Sequence, residues 1–413
     1  MFQHALVQEA ELDMFNHSQI VVGLEIGTAK VCVIVAELIG DTEINVLGHG
    51  TAATAGGVRK GEIINADSVE DAVRAALAEA ESDSDIEIGS VYLGVTGSHI
   101  RGLNSRGAHP ISSVDREVDE DDIRQVIRSA QPQLPPEQDV LHTLRKYFRV
   151  DGQDDVKNPV GRMASRIELD VHVVCGQRTR IQNPIRLVKG LGIEVADVAF
   201  NGRVMALPLL TPQIGEQGAL VIDLGAGTTE YAVYLDGSLS HSGVFAIGGD
   251  HVTNDLAVGL KLTQLRAERL KLDHGRAVSN LRQSNRTVNF SSDVGLDDKQ
   301  VSIGHLNQIM NARLIELFEL IRADLERHEL IRRVNGGILL CGGSARIPQI
   351  DVLAREVFGL DVLTNTEPSA LTSKGFAVQP EFITAMGLVR YGARKIKIQK
   401  STKPGLFGWL VGN

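Results

Sequence analysis

Two short segments rich in glycine and threonine each follow an apolar run that carries one acidic residue. They contain Gly27, Thr28, Ala29 and Lys30 after Glu25, and Gly225, Gly227, Thr228 and Thr229 after Asp223. Glycine lets backbone N–H groups approach a phosphate closely, and threonine hydroxyls add further donors. Lys30 is suited to neutralise phosphate charge, while Glu25 and Asp223 are suited to hold Mg²⁺ directly or through its water. Two such turns facing each other predict a site that grips a polyphosphate from both sides.

A third glycine turn follows the apolar run GGILLC. It contains Gly342, Gly343, Ser344 and Arg346. Such a turn lets a flat base and ribose lie against the backbone, and the Arg346 guanidinium could stack on the base. A single Gly-Gly turn is more often a hairpin or a helix cap. The three turns in this order predict a nucleotide site.

The elements that must position these turns follow from the apolar runs around them. Segments 20–38 and 218–237 each have the pattern of a hairpin: an apolar strand, an acid, a tight glycine turn and a second apolar strand. Apolar residues at helical spacing predict helices over 67–81 and 305–330. Because one hairpin design occurs twice, the sequence predicts a duplicated α/β domain with a cleft between its halves.

The composition limits the classes of protein to consider. A chain of 413 residues suggests two or more lobes, and a formal net charge of -10 argues against a general nucleic-acid binder. Cys32, Cys175 and Cys341 lie far apart in apolar runs, which indicates buried thiols in a reducing compartment. The N-terminal residues lack the pattern of a signal peptide, and no apolar run approaches the ~18 residues of a membrane-spanning helix. We therefore expect a cytoplasmic protein.

Several segments resemble one superfamily of nucleotide-binding proteins. VVGLEIGTAK, VIDLGAGTTEYAV and ILLCGGSARIP are similar to the two phosphate motifs and the adenosine motif of the superfamily of actin, DnaK-type chaperones and sugar kinases. Within that superfamily, the chain resembles the FtsA family of bacterial division proteins. The segments that carry this resemblance are GLEIGTAKV, SVYLGVTGSHI, KNPVGRMASRIELDVHVV, NDLAVGL and AMGLVRYG. The resemblance covers nearly everything from about residue 20 to residue 395.

The resemblance implies a fold and a division of the chain. The fold is α/β and actin-like, with two duplicated RNase H-like lobes around a nucleotide cleft, an FtsA-type inserted subdomain 1C, and ATP and Mg as ligands. The implied parts are a flexible N-terminal extension (1–17), subdomain 1A (18–85 with 167–207 and 387–400), subdomain 1C (86–166), subdomain 2A (208–255 with 305–386), subdomain 2B (256–304) and a C-terminal membrane-targeting tail (401–413).

The resemblance also implies further contacts and partners. Glu268 and Lys271 match the family's helix that contacts ribose and adenine. Subdomain 1C serves filament and partner contacts in the family, and subdomain 2B receives the C-terminal peptide of the tubulin-like FtsZ. Arginines of this region that could meet an acidic peptide are Arg266, Arg269, Arg276, Arg282 and Arg286.

Asn201 is the candidate for orienting an attacking water. The good hydrolases of the superfamily place Gln, Glu or Asp just after the strand that precedes the second phosphate motif, and Asn201 in AFNGRV falls there. An asparagine can hydrogen-bond water but is a poor base. We therefore expect ATP binding with slow ATPase activity at most. The alternative is that Asn201 is only the N-cap of a helix that starts at Gly202.

The histidines are scattered along the chain. His109, His142, His172 and His241 have no mutual spacing that suggests a metal site. We expect each of them to be structural or solvated.

The C-terminal segment has the composition of a membrane anchor. From Arg390 to Lys403 there are six basic residues and no acid, and KPGLFGWLVGN follows with its apolar side chains Leu406, Phe407, Trp409, Leu410 and Val411. Basic residues beside an exposed apolar segment suit an anionic membrane surface. The alternative is a frayed tail, or an apolar end that docks on a partner protein.

The residues and the resemblance together predict an actin-like ATP-binding protein of cell division. It would polymerise at the cytoplasmic face of the membrane at the division site, and tether FtsZ and other divisome proteins there. A PilM-like actin homologue of pilus assembly shares the inserted subdomain and is an alternative, although the C-terminal tail favours FtsA. A sugar kinase-type phosphotransferase is a second alternative, although no convincing loop supplies its catalytic Asp.

Overall fold

Two sheets built on the same plan form the two lobes of the protein. The computed structural model describes residues 19–40, 43–112, 115–279, 286–290, 299–363 and 379–401. The strands are β1 (Gln19–Ile26), β2 (Lys30–Ile39), β3 (Glu43–Ala53), β4 (Val58–Arg59), β5 (Glu62–Ile63), β6 (Ser90–Val95), β7 (Arg101–Pro110), β8 (Gln138–Val150), β9 (Gln153–Val156), β10 (Arg166–Gln177), β11 (Glu194–Phe200), β12 (Ala219–Leu224), β13 (Thr229–Leu235), β14 (Ser238–Phe245), β15 (Thr287–Phe290), β16 (Lys299–Ser302) and β17 (Ile338–Cys341).

The helices connect and cover these sheets. They are α1 (Ala66–Ser84), α2 (Glu120–Ala130), α3 (Arg178–Gly190), α4 (Asn201–Val204), α5 (Ala206–Leu209), α6 (Pro212–Gln217), α7 (Gly249–Gly259), α8 (Gln264–His274), α9 (Ile303–Arg327), α10 (Ile350–Phe358) and α11 (Ile383–Ser401), with 3₁₀ turns at Ile331–Arg333, Gly343–Arg346 and Pro380–Phe382. The helices predicted over 67–81 and 305–330 are α1 and α9. In the part of the chain that the structure describes, no helix is both long and apolar enough to cross a membrane.

Strand β1 lies at the centre of the first sheet, whose order is β11-β6-β1-β2-β3. It pairs antiparallel with β2 and parallel with β6. Both faces of β1 are buried, because α1 covers one face and α11 covers the other. Val22 and Leu24 pack in the cluster that contains α1 residues, whereas Val21 packs with Ala385 and Met386 of α11. Burial on both faces explains the nearly continuous apolar run of this hairpin.

The second sheet repeats the plan in the order β14-β13-β12-β17. Strand β12 pairs antiparallel with β13 and parallel with β17, as β1 does with β2 and β6. A parallel bridge between Ile338 and Val362 extends the parallel side. Helix α9 covers this sheet, since Leu314 and Phe318 are buried in the same cluster as Leu220 of β12. The repeated sheet confirms the predicted duplicated α/β architecture.

A third sheet is inserted after β6 and lies against the second lobe. Its order is β7-β10-β8-β9, and all of its neighbouring strands are antiparallel. Helix α2 covers one face, where Val126 and Ile127 pack with Leu169 of β10. The ammonium group of Lys146 in β8 donates to the carbonyl of Ser240 in β14 at 3.0 Å. The sheet is therefore a separate layer that contacts the edge strand of the second sheet.

Some of the sequence-based predictions lie outside the described residues. They concern the N-terminal extension (1–17), Arg282, and the apolar side chains of the tail from Leu406 to Val411. The cysteine prediction can be compared with the structure. Cys32, Cys175 and Cys341 are all buried and free, as expected for thiols in apolar strands.

His172 is a buried neutral side chain at the contact between the inserted sheet and the second lobe. Its Nδ1 lies 2.8 Å from Asn104 Oδ1, and its Nε2 lies 2.9 Å from Ser242 Oγ in β14. Burial, with smaller contributions from the positive charges of Lys146 and His241, lowers the pKa of His172 to about 3. This agrees with the predicted structural role of this residue.

This depressed pKa predicts a pH dependence of stability. Below an unfolded-state pKa of about 6.5, the unfolded chain binds a proton at His172 and the folded chain does not, so stability falls as pH falls. From about pH 7.5 to about pH 5 the free energy of unfolding should fall less in His172→Gln than in the wild type. The difference between the two slopes should be up to about 1.4 kcal/mol per pH unit. Urea unfolding at both pH values measures this. His305→Gln, at an exposed position in α9, is the control and should keep the wild-type slope.

Candidate functional site

The first two glycine turns have the same backbone geometry. The amide of Gly27 donates to the carbonyl of Lys30, and the amide of Gly225 donates to the carbonyl of Thr228, both at 3.0 Å. Each turn joins the two antiparallel strands at the heart of its lobe, β1 to β2 and β12 to β13. The duplicated sheets therefore present two equivalent turns, each with backbone amides at its tip.

The two turns meet across the cleft between the lobes. A Cβ atom added to Gly227 would lie 2.5 Å from Thr28 Oγ1 and 2.9 Å from the Lys60 amide nitrogen. Any larger residue at Gly227 would push the turns apart, so glycine is required here by close approach. The Thr28 hydroxyl also accepts a hydrogen bond from the Gly61 amide at 3.1 Å.

A cavity of about 640 Å³ lies between the turns and collects most of the predicted site residues. Those that line it are Glu25, Gly27, Thr28, Ala29, Lys30, Asn201, Asp223, Gly225, Thr228, Glu268, Lys271, Gly342, Gly343, Ser344 and Arg346. Two predicted residues do not line it. Gly227 lies at the contact with Thr28, and Thr229 is fully buried with its hydroxyl donating to the Ile247 carbonyl at 2.8 Å. The volume is within the roughly 300–1,000 Å³ of small-molecule sites.

Acidic side chains gather at the floor of the cavity. Asp223 is buried, and its Oδ2 accepts a hydrogen bond from the Thr384 hydroxyl at 2.6 Å. Burial raises the pKa of Asp223, although the hydrogen bond from Thr384 opposes the rise. Burial also raises the pKa of Glu25 well above its ordinary value, and the charges of Asp223 and Glu230 raise it further. The positive charge of Lys30 offsets only part of this shift.

Glu230 is an acidic site residue that sequence reasoning missed. It lines the cavity, is 3% exposed, and accepts a hydrogen bond from the Thr96 hydroxyl of the first lobe. Burial, and then the neighbouring Asp223 charge, raise its pKa to about 8. The hairpin register could have revealed it, because Asp223 and Glu230 are directly opposed across β12 and β13. Residues opposed across two strands have side chains on the same face.

The acidic floor has the donor set of a site for a hard divalent cation. Asp223, Glu25 and Glu230 offer carboxylate oxygens, which are the ligands that Mg²⁺ prefers. Burial raises the pKa values of all three groups, and repulsion from neighbouring carboxylates raises those of Glu25 and Glu230 further. A divalent cation would relieve that repulsion and favour the ionised forms. The residues present therefore fit a magnesium ion.

The opposite end of the cavity combines a charged pair with apolar walls. The Lys271 ammonium lies 2.7 Å from Glu268 Oε2 and donates to Thr253 Oγ1 at 2.8 Å. Arg346 Nη1 donates to Glu381 Oε1 at 2.6 Å, which holds the guanidinium beside the cavity. The walls include Leu272, Ile347 and Pro348, which the sequence analysis did not name. Apolar walls beside a few polar groups suit a heteroaromatic base.

Asn201 does not cap a helix. It is the first residue of α4, whose N-cap is Phe200, and no side chain caps that helix. The alternative role as an N-cap is therefore wrong, because Asn201 already has a helical position. Its buried Oδ1 finds no hydrogen-bond partner among the described residues, although Asn201 lines the cavity. An unpaired amide oxygen at such a place is suited to accept a hydrogen bond from water.

Comparison with known proteins relates this site to one family. A family model described as "Cell division protein FtsA" matches residues 220–387, and one described as "SHS2 domain inserted in FTSA" matches residues 97–175. The cell division protein FtsA of Borreliella burgdorferi is 34% identical over 387 residues, which cover 93% of this chain and 93% of that protein. The chain belongs to the FtsA family of cell division proteins. The inserted FtsA domain corresponds to the third sheet. Membership of the FtsA family favours a division protein over the two alternatives, a PilM-like pilus-assembly protein and a sugar kinase-type phosphotransferase.

Solved structures support the actin-like fold of this FtsA-family chain. A chain of the PilM-PilN type IV pilus biogenesis complex aligns with a TM-score of 0.64 at 16% identity, covering 90% of this chain and 98% of that one. MreB5 of Spiroplasma citri, solved bound to ADP, aligns with a TM-score of 0.57 at 15% identity, covering 93% and 99%. The predicted actin-like α/β fold with an FtsA-type insert is confirmed.

The position of Asn201 depends on a close backbone approach that can be tested. A Cβ added to Gly94 in β6 would lie 2.4 Å from Asn201 Oδ1. Gly94→Ala should therefore displace the amide and lower the free energy of unfolding by about 1–3 kcal/mol. Gly89→Ala is the control, since a Cβ there meets nothing within 4 Å. Urea unfolding should show a change within about 0.5 kcal/mol for the control, and equal losses in both variants would contradict the packing.

Proposed function

We propose that this protein binds Mg-ATP in the cleft, assembles into filaments, and tethers FtsZ and other divisome proteins to the cytoplasmic face of the membrane at the division site. The observation that carries the proposal is the convergence of the three predicted glycine turns and three acidic side chains on one cavity. Family membership supports the division role.

Each part of the nucleotide has suitable partners in the cavity. The amides of the Gly27 and Gly225 turns, with the Thr28 and Thr228 hydroxyls and Lys30, face the polyphosphate. Asp223 and Glu25, joined by Glu230, would hold Mg²⁺ directly or through its water, and the ion would neutralise phosphate charge. The Gly342 turn, Glu268, Lys271 and Arg346 surround the nucleoside.

Hydrolysis in this site is slow. Asn201 orients water by a hydrogen bond to its amide oxygen but cannot take up the proton. ATP thus serves as a bound ligand that closes the two lobes together.

Removing one carboxylate tests the nucleotide site. Wild-type protein should gain about 2.7 kcal/mol of stability at a Mg-ATP concentration near 100 times its Kd, because ligand binds only the folded state. Asp223→Ala should lose this gain. Asp71→Ala, at an exposed position of α1 outside the cavity, should keep it. Thermal unfolding with and without Mg-ATP measures the shift, and a wild-type shift in Asp223→Ala would refute the site.

The partner surfaces follow from the family's division of the chain. We assign filament and partner contacts to subdomain 1C (86–166) and the FtsZ peptide to subdomain 2B (256–304). Arg269, Arg276 and Arg286 are exposed and suit an acidic peptide. Arg266 does not, because it is only 6% exposed. The predicted charge of this surface is thus carried by fewer arginines than the sequence suggested.

The membrane contact belongs to the segment after α11. Basic residues in and after this helix lead to the apolar side chains from Leu406 to Val411. Within the helix, Lys395 pairs with Asp197 at 2.8 Å and Arg390 Nη1 donates to the Leu207 carbonyl at 3.3 Å, so these two residues contact the protein body. Of the other basic residues, we assign Arg394, Lys400 and Lys403 to the anchor, which gains strength in a filament by avidity.

A recruitment assay tests the anchor and the FtsZ contact together. With Mg-ATP and anionic vesicles, the wild-type protein should pellet and bring FtsZ with it. Trp409→Glu should abolish pelleting of both proteins, whereas Trp409→Phe, which keeps an apolar ring at the interface, should retain it. FtsZ without its C-terminal peptide should stay in the supernatant. Equal pelleting of the Trp409→Glu variant would disprove the anchor, and recruitment of truncated FtsZ would disprove the peptide contact.

A further inference from the structure

Three side chains with metal-ligating atoms meet beside the second sheet, and none of them lines the nucleotide cavity. His241 lies in β14, Asp324 lies in the last turn of α9, and His328 follows the end of that helix. Their ligand atoms all lie within 4.8 Å of one another. Asp324 and His328 are four residues apart, a spacing that puts both side chains on one face of a helix. We propose that His241, Asp324 and His328 form a binding site for a divalent transition metal ion of the Zn²⁺ type.

The distances are close to those that such an ion requires. His241 Nε2 lies 2.6 Å from Asp324 Oδ2, and His328 Nε2 lies 3.8 Å from Asp324 Oδ1. Two ligands that bind one tetrahedral Zn²⁺ at about 2.0–2.1 Å lie roughly 3.3 Å apart. The first pair is therefore about 0.7 Å too close and the second about 0.5 Å too far apart. The two pairs also end on different oxygens of Asp324, so the carboxylate must turn until one oxygen serves both imidazoles. Side-chain torsions can supply changes of this size without moving the backbone.

The carboxylate is already held in place by a neighbouring hydroxyl. The Tyr231 hydroxyl donates to Asp324 Oδ2 at 2.5 Å, and the Tyr231 ring stacks on Phe245 with centroids 5.6 Å apart. Metal-binding carboxylates in proteins are commonly oriented by such hydrogen bonds. Tyr231 therefore acts as a positioning residue for Asp324.

A fourth ligand and an entry path come from the solvent. The His328 side chain is 47% exposed and lines a cavity of about 810 Å³ between the inserted sheet and the second lobe. Tyr147 of β8 and Ser240 of β14 line the same cavity. Water from this cavity completes a tetrahedral set of two imidazoles, one carboxylate and one water.

Nearby positive charges limit the affinity. Arg327 Nη1 lies 3.6 Å from Asp324 Oδ1, but its side chain is 74% exposed and can turn into solvent. The ammonium group of Lys146 donates to the carbonyl of Ser240 at 3.0 Å, and Ser240 directly precedes His241 in the chain. The site also has no thiolate ligand, so we expect weaker binding than at structural zinc sites made of cysteines.

The place of the site in the fold suggests its effect. A bound ion would tie β14 to the end of α9, directly beside the contacts that join the inserted sheet to β14. Those contacts are the Lys146 bond to Ser240 and the His172 bond to Ser242. Metal binding would therefore stiffen the region where the inserted domain meets the second lobe.

Zinc titration of the full-length protein without nucleotide tests the proposal. After treatment with a chelator and its removal, calorimetry should show one Zn²⁺ per chain. Co²⁺ should give the intense visible bands of a four-coordinate ion. His328→Gln and His241→Gln should each weaken Zn²⁺ binding on the order of 100-fold. Loss of a residue that only hydrogen-bonds to a metal ligand already costs up to about 100-fold, so loss of a ligand itself should cost at least as much. His305→Gln, exposed near the start of the same helix, should bind Zn²⁺ as the wild type does.

Several outcomes would overturn the proposal. They are the absence of Zn²⁺ binding at micromolar concentrations, unchanged affinity in a folded His328→Gln variant, or an equal loss in His305→Gln. A thiolate-to-Co²⁺ charge-transfer band would place the ion on a cysteine instead. Loss of Zn²⁺ binding in Asp223→Ala would place it in the nucleotide cavity, whereas retention there keeps this site independent of the ATP proposal.

Discussion

The buried carboxylate of Asp223 is the group on which the joining of the two lobes depends. It lies on β12 of the second lobe, opposite Glu230, and it accepts a hydrogen bond from the hydroxyl of Thr384 at the start of α11. Helix α11 in turn packs on the first sheet through Ala385 and Met386. A buried charge is tolerated only where donors or opposite charges meet it. The carboxylate therefore requires α11 and the hairpin of β12 and β13 to keep their places around it.

The duplication of one hairpin explains why the site lies between the lobes. Each hairpin closes with the same hydrogen bond across its turn, so each lobe presents the same kind of backbone donors at the same place. A phosphate chain between the two turns would receive donors from both lobes at once. A ligand held by both turns would bind a closed arrangement more tightly than an open one, and it would shift the population toward closure. The contact between Gly227 and Thr28 limits how far the lobes can close.

Helix α11 connects the cleft to the segment proposed to reach the membrane. Its start contacts Asp223, and its middle is fixed by Asp197, which accepts the Tyr391 hydroxyl at 2.8 Å and pairs with Lys395 at 2.8 Å. With 19 residues it spans roughly 28 Å at about 1.5 Å per residue. One helix therefore joins the proposed nucleotide site to the point where the proposed anchor begins. A movement of the cleft on closure would be transmitted along this helix to that point.

The sequence by itself determined the hairpins, the glycine turns and most of the cavity lining, because these depend on local backbone sterics and on the alternation of buried residues. It did not reveal Glu230, although the register opposes it to Asp223, because the approach of Thr96 from the other lobe depends on how the lobes pack. Tertiary packing also buried Arg266 and made Phe200, not Asn201, the N-cap of α4. His241 and Asp324 are 83 positions apart, so no spacing rule could pair them. Only the folding of α9 onto the second sheet brings their side chains together, since long-range contacts are set by the packing of whole elements and not by neighbours in the chain.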